Sequence, residues 1–258
     1  MLTKIIVALI AGLGAGLGTG IAGLSAAAVI SPMLITFLDV EPYQAVGIAL
    51  ASDVLASAAS AYTYGKNKNL DIRNGVIMMI SVLCFTLVGS FVASLLPGTA
   101  IGGFSVVMTT LLGVRFIVKP VTATESKMMK KDRKTAAVQS VLCGMMIGFI
   151  CGFVGAGGGM MMLFVLTSVL GYELKTAVGT SVFIMSFTAF TGAASHFVID
   201  GAMPDIFILA LCVIFTLAGA AVASKFANKA SPKTLNRAVG VVLLTLGVVM
   251  ILTEYVFS

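Results

Sequence analysis

The sequence predicts an all-α polytopic membrane protein made of two inverted-topology repeats, each a broken, re-entrant helical hairpin plus three transmembrane helices. Three observations carry that expectation. Of the 258 residues, 59% are hydrophobic and only 10% charged, with a mean hydropathy of +1.11, whereas soluble domains carry about 25% charged residues. A pattern recurs at one constant offset: Gly20-Ile-Ala-Gly23 followed by Ala45-Val-Gly47 returns as Gly152-Phe-Val-Gly155 followed by Ala177-Val-Gly179, and Val92-Ala-Ser94 is echoed by Val222-Ala-Ser224. Duplicated apolar halves are a mark of transporters that bind a solute at the repeat interface. Finally, the basic residues gather in three loops that fix the direction of each crossing.

Taken in chain order, residues 4–38 are too long for one span, since about 35 helical residues would reach roughly 52 Å against a hydrocarbon core of about 30 Å. Glycines interrupt this stretch, so a hairpin is expected, with two arms of roughly 16 residues meeting at a Gly-rich tip. Such non-helical backbone is tolerated in a membrane only where protein buries it or it lines a cavity. The start, from Met1 to Ala28, imitates a cleavable signal peptide, but its repeat partner in the second half cannot be one. Residues 44–65, 73–96 and 101–118 read as three spans, and 119–134 as a Lys-rich linker that is either a solvated connector or, through Thr122–Ser126 and Lys127–Lys131, a short amphipathic surface helix attracted to anionic lipid. Residues 138–170 repeat the long, glycine-broken stretch, followed by spans at 177–198, 206–224 and 238–256. The repeats are therefore expected at 1–118 and 135–258 within one membrane domain.

The linker residues Lys119, Lys127, Lys130, Lys131, Arg133 and Lys134 should be cytoplasmic, together with Lys66, Lys68 and Arg73 and with Lys225, Lys229, Lys233 and Arg237. A single crossing by 138–170 would put the last of these loops outside and acidic Asp200 and Asp205 inside, inverting the rule. A hairpin returning to the cytoplasmic side restores it. The same logic places both termini outside, with Asp39 and Glu41, and gives the halves opposite orientations in a cell (inner) membrane. The net charge of +6 is thereby explained without nucleic acid. Four cysteines, Cys84, Cys143, Cys151 and Cys212, lack C-x-x-C spacing and read as small packing residues.

Glycines spaced by four, as in Gly12/Gly16/Gly20 and Gly144/Gly148/Gly152, allow close helix approach. The run Gly157-Gly158-Gly159 is better suited to an unwound segment that exposes backbone N–H groups. The pattern Gly-x-x-Gly-x-Gly-Gly-Gly, a proline a few residues on, then Ala-Val-Gly-Thr-Ser, resembles the TauE/SafE sulfite-exporter family. The second half carries Gly152–Gly159 and Ala177-Val-Gly-Thr180-Ser181 but has Phe164 at the proline position. The first half keeps Pro32 and Ala45-Val-Gly47 but has Ser25-Ala26-Ala27 for the glycines and Ile48-Ala49 for Thr-Ser. The resemblance covers the whole chain and implies transport of a small anion: sulfite, or an organosulfonate such as sulfoacetate.

A hairpin whose second arm begins at mid-membrane aims a helix N-terminus, with free N–H groups and partial positive charge, at the protein centre. The expected solute-binding set is therefore Gly23, Ser25 and Ala26 at one tip and Gly155, Gly157, Gly158 and Gly159 at the other, with Thr180 and Ser181 adding hydroxyl donors. The competing reading is that the glycines only permit close packing. Asp53, deep in a span, is a candidate for proton coupling or else a structural acid bonded to Ser52, Ser57 or a glycine backbone. His196 at a span end, with Asp200 one turn on, is a gate candidate or an interfacial polar group. Arg115 should snorkel to cytoplasmic headgroups or line an inner vestibule. Tyr62 and Tyr64 read as interfacial anchors. No His-rich metal set, paired catalytic carboxylates or Ser/His pair lies in the spans, so neither an enzyme, a cofactor nor a metal is expected. The expected partners are a small anionic solute, the lipid bilayer and, since dimers are common among small transporters, a second copy. Alternating access by the two repeats is the expected mechanism; a passive anion channel would share the same sequence features.

Overall fold

The computed structural model describes residues 1–93, 110–111, 113–121, 126–154, 158–200 and 204–255, which are helical with short connections and contain no strand. Helix α1 (Leu2–Ala22) is followed by α2 (Ala27–Leu38), α3 (Pro42–Lys66) and α4 (Ile72–Ala93); residues 113–118 are helical, and a 3-10 turn occupies Lys127–Lys130. The second half holds α5 (Arg133–Val154), α6 (Gly158–Phe164) running into a π-helical turn (Val165–Val169), α7 (Leu174–Asp200), α8 (Ile206–Lys229) and α9 (Pro232–Tyr255). Six of these helices, α1, α3, α4, α5, α7 and α8, are long and apolar enough to cross a membrane, and α2 is a shorter apolar helix. Spans expected at 44–65, 73–96, 177–198, 206–224 and 238–256 correspond to α3, α4, α7, α8 and α9. Most of the span expected at 101–118 lies outside the described residues.

The helix ends follow local chemistry. Pro42 opens α3 behind Glu41, whose carboxylate accepts from Gln44 N at 3.0 Å. Asp71 accepts from Asn74 N at 3.1 Å at the head of α4, and Asp205 accepts from Phe207 N and Ile208 N at 3.0 and 3.2 Å at the head of α8. Helix α1 ends at Gly23, whose left-handed φ of 62° lets its N–H reach back to Thr19 O at 2.9 Å.

Both hairpins are unequal, which corrects the expectation of two arms of about 16 residues. In the first, α1 has 21 residues and α2 has 12. In the second, α5 has 22 residues, and α6 with its π turn supplies 7 and 5. The glycines between Gly12 and Gly20 do not break the helix, because they serve as contact points inside it. A Cβ on Gly20 would lie 2.6 Å from Ala223 Cβ and 2.7 Å from Ala220 O, while Gly12 abuts Phe215 and Gly16 abuts Thr216. The residue numbers rise together on the two helices, so α1 and α8 run parallel. Gly144 meets Met78 and Ser81, and Gly148 meets Val82, so α5 and α4 are parallel in the same manner.

At the centre α3 and α7 cross antiparallel. Gly47 of α3 packs under Phe197 and His196, while Gly179 of α7 packs under Tyr64 and Asn69. The two Ala-Val-Gly motifs thus do the same work at opposite ends of one helix pair. Residues 113–118 lie antiparallel to α9, with Gly113 against Leu244 and Gly240 against Ile117.

Side-chain distribution is that of a membrane domain. Large apolar groups such as Leu87, Phe91, Phe190, Ile214 and Val222 are exposed, whereas Thr19, Ser52, Asp53, Ser57, Ser60, Thr180, Ser181, Thr216 and Ser224 are buried. Two apolar clusters fill the interior, one around Tyr64, Met78, Leu163 and Tyr172, the other around Val7, Ile30, Leu34, Ile48 and Cys212. The cysteines are all free thiols; Cys143 and Cys212 are buried, Cys151 is partly covered and Cys84 is exposed.

Candidate functional site

The break in the first hairpin is held open by its own polar groups. Past Gly23, the Thr19 hydroxyl donates to Leu24 O at 2.8 Å, which anchors the turn to the last helical residues of α1. Ser25 Oγ accepts from Ala27 N at 3.3 Å. Asp53, from the middle of α3, reaches under the tip: its Oδ2 accepts from Ala26 N at 3.0 Å, and its Oδ1 accepts from Ser57 Oγ at 2.8 Å and Thr19 Oγ1 at 3.4 Å. The carboxylate is fully buried. It therefore lies where the N-terminus of α2 offers its partial positive charge, and three helices converge on it.

The second hairpin meets the first at this point. A Cβ on Gly159 would lie 2.9 Å from both Gly23 O and Ser25 N and 3.1 Å from Met185 Sδ. Ser181 of α7 donates to Gly23 O at 3.2 Å and lies 3.8 Å from Met185 Sδ. Gly23, Ser25, Ala26, Gly159 and Ser181 are thus gathered at one junction between α3 and α7. Gly158 opens α6 beside Gly159, while Gly155 and Gly157 lie outside the described residues. The two halves differ at this junction, because Met185 occupies the position in α7 that Asp53 occupies in α3.

Thr180 is buried but belongs to a different cluster. Its Oγ1 accepts from Asp71 N at 3.2 Å, and the Asp71 carboxylate accepts from Asn74 Nδ2 at 2.7 Å and Tyr172 OH at 2.9 Å. This buried network ties the α3–α4 connection to the π turn–α7 connection. Nearby, Asn69 donates to Asn228 at 2.7 Å and Lys175 donates to Asn228 O at 2.8 Å. At the opposite end of the bundle Lys4 bonds Asp205 at 2.7 Å, with both side chains about 40% exposed, and His196 packs against Tyr43 with ring centroids 4.1 Å apart and Nδ1 3.2 Å from Tyr43 O.

One sequence expectation changes here. Tyr62 is exposed as expected, but Tyr64 is fully buried and donates to Gly20 O at 2.9 Å, because it faces inward, where α1 and α7 close over α3. Arg115 is half-buried, and its guanidinium lies 5.2 Å from the Phe164 ring centroid. Sequence reasoning named Ser57 as a partner of Asp53 but missed Thr19 and Ala26, which lie more than 25 positions away. It missed the Asp71 network too. The Asp71-x-x-Asn74 spacing signals a helix start, yet nothing in the chain ties it to Tyr172. No group of three or more His, Cys, Asp or Glu suited to a metal occurs among the described residues.

A family model described as Sulfite exporter TauE/SafE matches residues 8–250. The chain is similar to probable membrane transporter protein YunE of Bacillus subtilis (strain 168), 26% identical over 98% of this chain and 99% of that protein. It is also similar to probable membrane transporter protein MJ0441 of Methanocaldococcus jannaschii, 26% identical over 81% of this chain and 79% of that one. Probable membrane transporter protein YdhB of Bacillus subtilis (strain 168) is 22% identical over 80% and 83% of the two chains.

Proposed function

The chain belongs to the Sulfite exporter TauE/SafE family of membrane proteins, and from that premise we propose that it is a secondary transporter of a small anion, sulfite or an organosulfonate, working by alternating access rather than by catalysis. The observation that carries this reading is the meeting of two helix breaks, Gly159 against Gly23 and Ser25, between the antiparallel α3 and α7. Broken helices that converge inside a membrane domain supply backbone donors and helix-end charge without a permanently bound cation.

The two halves, 1–118 and 135–258, act as inverted repeats joined by the basic linker 119–134. Their reciprocal contacts support this: α1 lies along α8 as α5 lies along α4, and Gly47 and Gly179 exchange roles across α3 and α7. The end carrying Asn69, Lys175 and Asn228 is cytoplasmic, in keeping with the basic residues that surround it. Rocking of one half against the other opens the tip junction to either side in turn. The buried Asp71–Tyr172 network closes the cytoplasmic end here, and the exposed Lys4–Asp205 pair with the His196–Tyr43 contact spans the other.

Asp53 takes the place of a solute at the α2 N-terminus. A bound anion at the junction competes with this carboxylate for the same positive field, so protonation of Asp53 and anion binding favour one another, and proton movement becomes coupled to solute movement. The test is sulfite flux into proteoliposomes, with and without a pH gradient, against protein-free vesicles. Saturable flux that is lost in Gly159→Val while the protein remains folded is the expected result. Unsaturable current through the wild-type protein would instead identify a channel, and full flux in Gly159→Val would overturn the tip-junction site.

A further inference from the structure

Arg115 is a cation of the membrane domain with no carboxylate partner among the described residues. Among the described residues the ion pair present is Lys4–Asp205, and Arg115 takes part in none. Its Nη1 is buried and has no hydrogen-bond partner. Snorkelling to headgroups would expose that nitrogen. The guanidinium instead faces inward over two rings, 5.2 Å from the Phe164 centroid and 5.9 Å from that of Phe116. Burying one nitrogen of a guanidinium without a partner is costly, and an intramembrane charge held in this manner is a ligand-site candidate.

Phe164 gives the arrangement its meaning. It is the last residue of α6, six residues beyond Gly158, so at 1.5 Å per residue it stands roughly 9 Å along the arm from the tip junction. It also occupies the position where the repeated motif calls for a proline, which the first half retains as Pro32. The aromatic ring there supplies a platform over which the guanidinium is held. The corresponding stretch of α9, around Thr245 to Gly247, carries no cation, so the feature belongs to one half only. Lys119, one turn beyond Arg115, leads from it toward the basic end of the bundle.

We propose that Arg115, oriented by Phe164, forms a second oxyanion site on the path between the basic end and the tip junction, and that it selects sulfite-like oxyanions over monatomic anions. The inference rests on the transporter reading above. A guanidinium fork pairs two N–H donors with two oxygens of one oxyanion, which a halide cannot match. The site is a loading position: it raises the local concentration of the solute and releases it to the junction, so its removal weakens apparent affinity more than turnover.

The test is the concentration dependence of sulfite flux in proteoliposomes, with equilibrium binding of sulfite to the detergent-purified protein measured in parallel. Arg115→Gln should raise KM and the dissociation constant by roughly tenfold or more, with maximal flux within about twofold of wild type and chloride becoming a relatively stronger competitor. Arg115→Lys keeps the charge but loses the fork, and should recover affinity while leaving the chloride competition. Phe164→Leu, which retains the cation, should show an intermediate KM and keeps the test open if Arg115→Gln does not fold. Wild-type flux with an unchanged KM in a folded Arg115→Gln overturns the second site and leaves the transporter reading standing. Wild-type protein that neither moves nor binds sulfite overturns both for this anion, whereas sulfite binding lost in Arg115→Gln without any wild-type flux supports the site and removes the transporter reading.

Discussion

Replacing Asp53 separates its structural part from its transport part. In Asp53→Leu the Ala26 amide loses the carboxylate that accepts its hydrogen bond while staying buried. The Ser57 hydroxyl can turn to the carbonyl one helical turn back, and Thr19 keeps its bond to Leu24 O. The irreducible loss is thus one buried amide plus the favourable charge at the α2 N-terminus, about 2–4 kcal/mol together. Asp53→Asn keeps an amide oxygen for Ala26 N and loses mainly the charge, about 1 kcal/mol. The chain has no tryptophan, but Cys143 and Cys212 are buried thiols, so a thiol-reactive dye reports unfolding in detergent. The Leu variant should melt on the order of 10 °C lower and the Asn variant only a few degrees lower. In proteoliposomes the Asn variant should still move sulfite but no longer respond to a pH gradient. A Leu variant as stable as wild type would refute the claim that Asp53 holds the first tip, and a gradient response retained in Asn would refute coupling through this acid.

Tyr172→Phe removes a donor from the buried Asp71 carboxylate; the same dye assay should register a loss of about 1.5–3 kcal/mol, with Cys143 labelled faster from the basic end. Gly20→Val would push a side chain into Ala223 Cβ and Ala220 O and should abolish the monodisperse species in size-exclusion chromatography, whereas at Gly14 the nearest atom to a new Cβ is 3.8 Å away and Gly14→Ala should be tolerated. Lys4→Ala should change the melting temperature very little, because both partners of the Lys4–Asp205 pair are about 40% exposed and solvent-screened. The hydrogen bond from Lys4 holds Asp205 below the usual carboxylate range. Its contribution is therefore complete above the unfolded-state value of about pH 4 and is lost as the pH falls below it and acid titrates the folded carboxyl, so any wild-type advantage over Lys4→Ala should fade over that acid range.

The membrane class and most of the helical spans were legible because they rest on local quantities: hydropathy summed over about 20 residues and helix rise against bilayer thickness. The two glycine-rich interruptions were legible from the same length argument. Where the helices would break was not. A glycine inside a helix and a glycine at its end look alike in the chain; Gly12, Gly16 and Gly20 stay helical because α8 packs against them, and Gly23 turns because its amide closes the end of α1. Only the tertiary structure decided which polar groups would meet, since Asp53 with Ala26, Asp71 with Tyr172 and Arg115 with Phe164 are set by how the hairpins thread between α3 and α7. Hydrophobicity orders residues by depth but is non-directional; partner choice requires the directional contacts of hydrogen bonds and close backbone packing, which exist only once distant segments have come together.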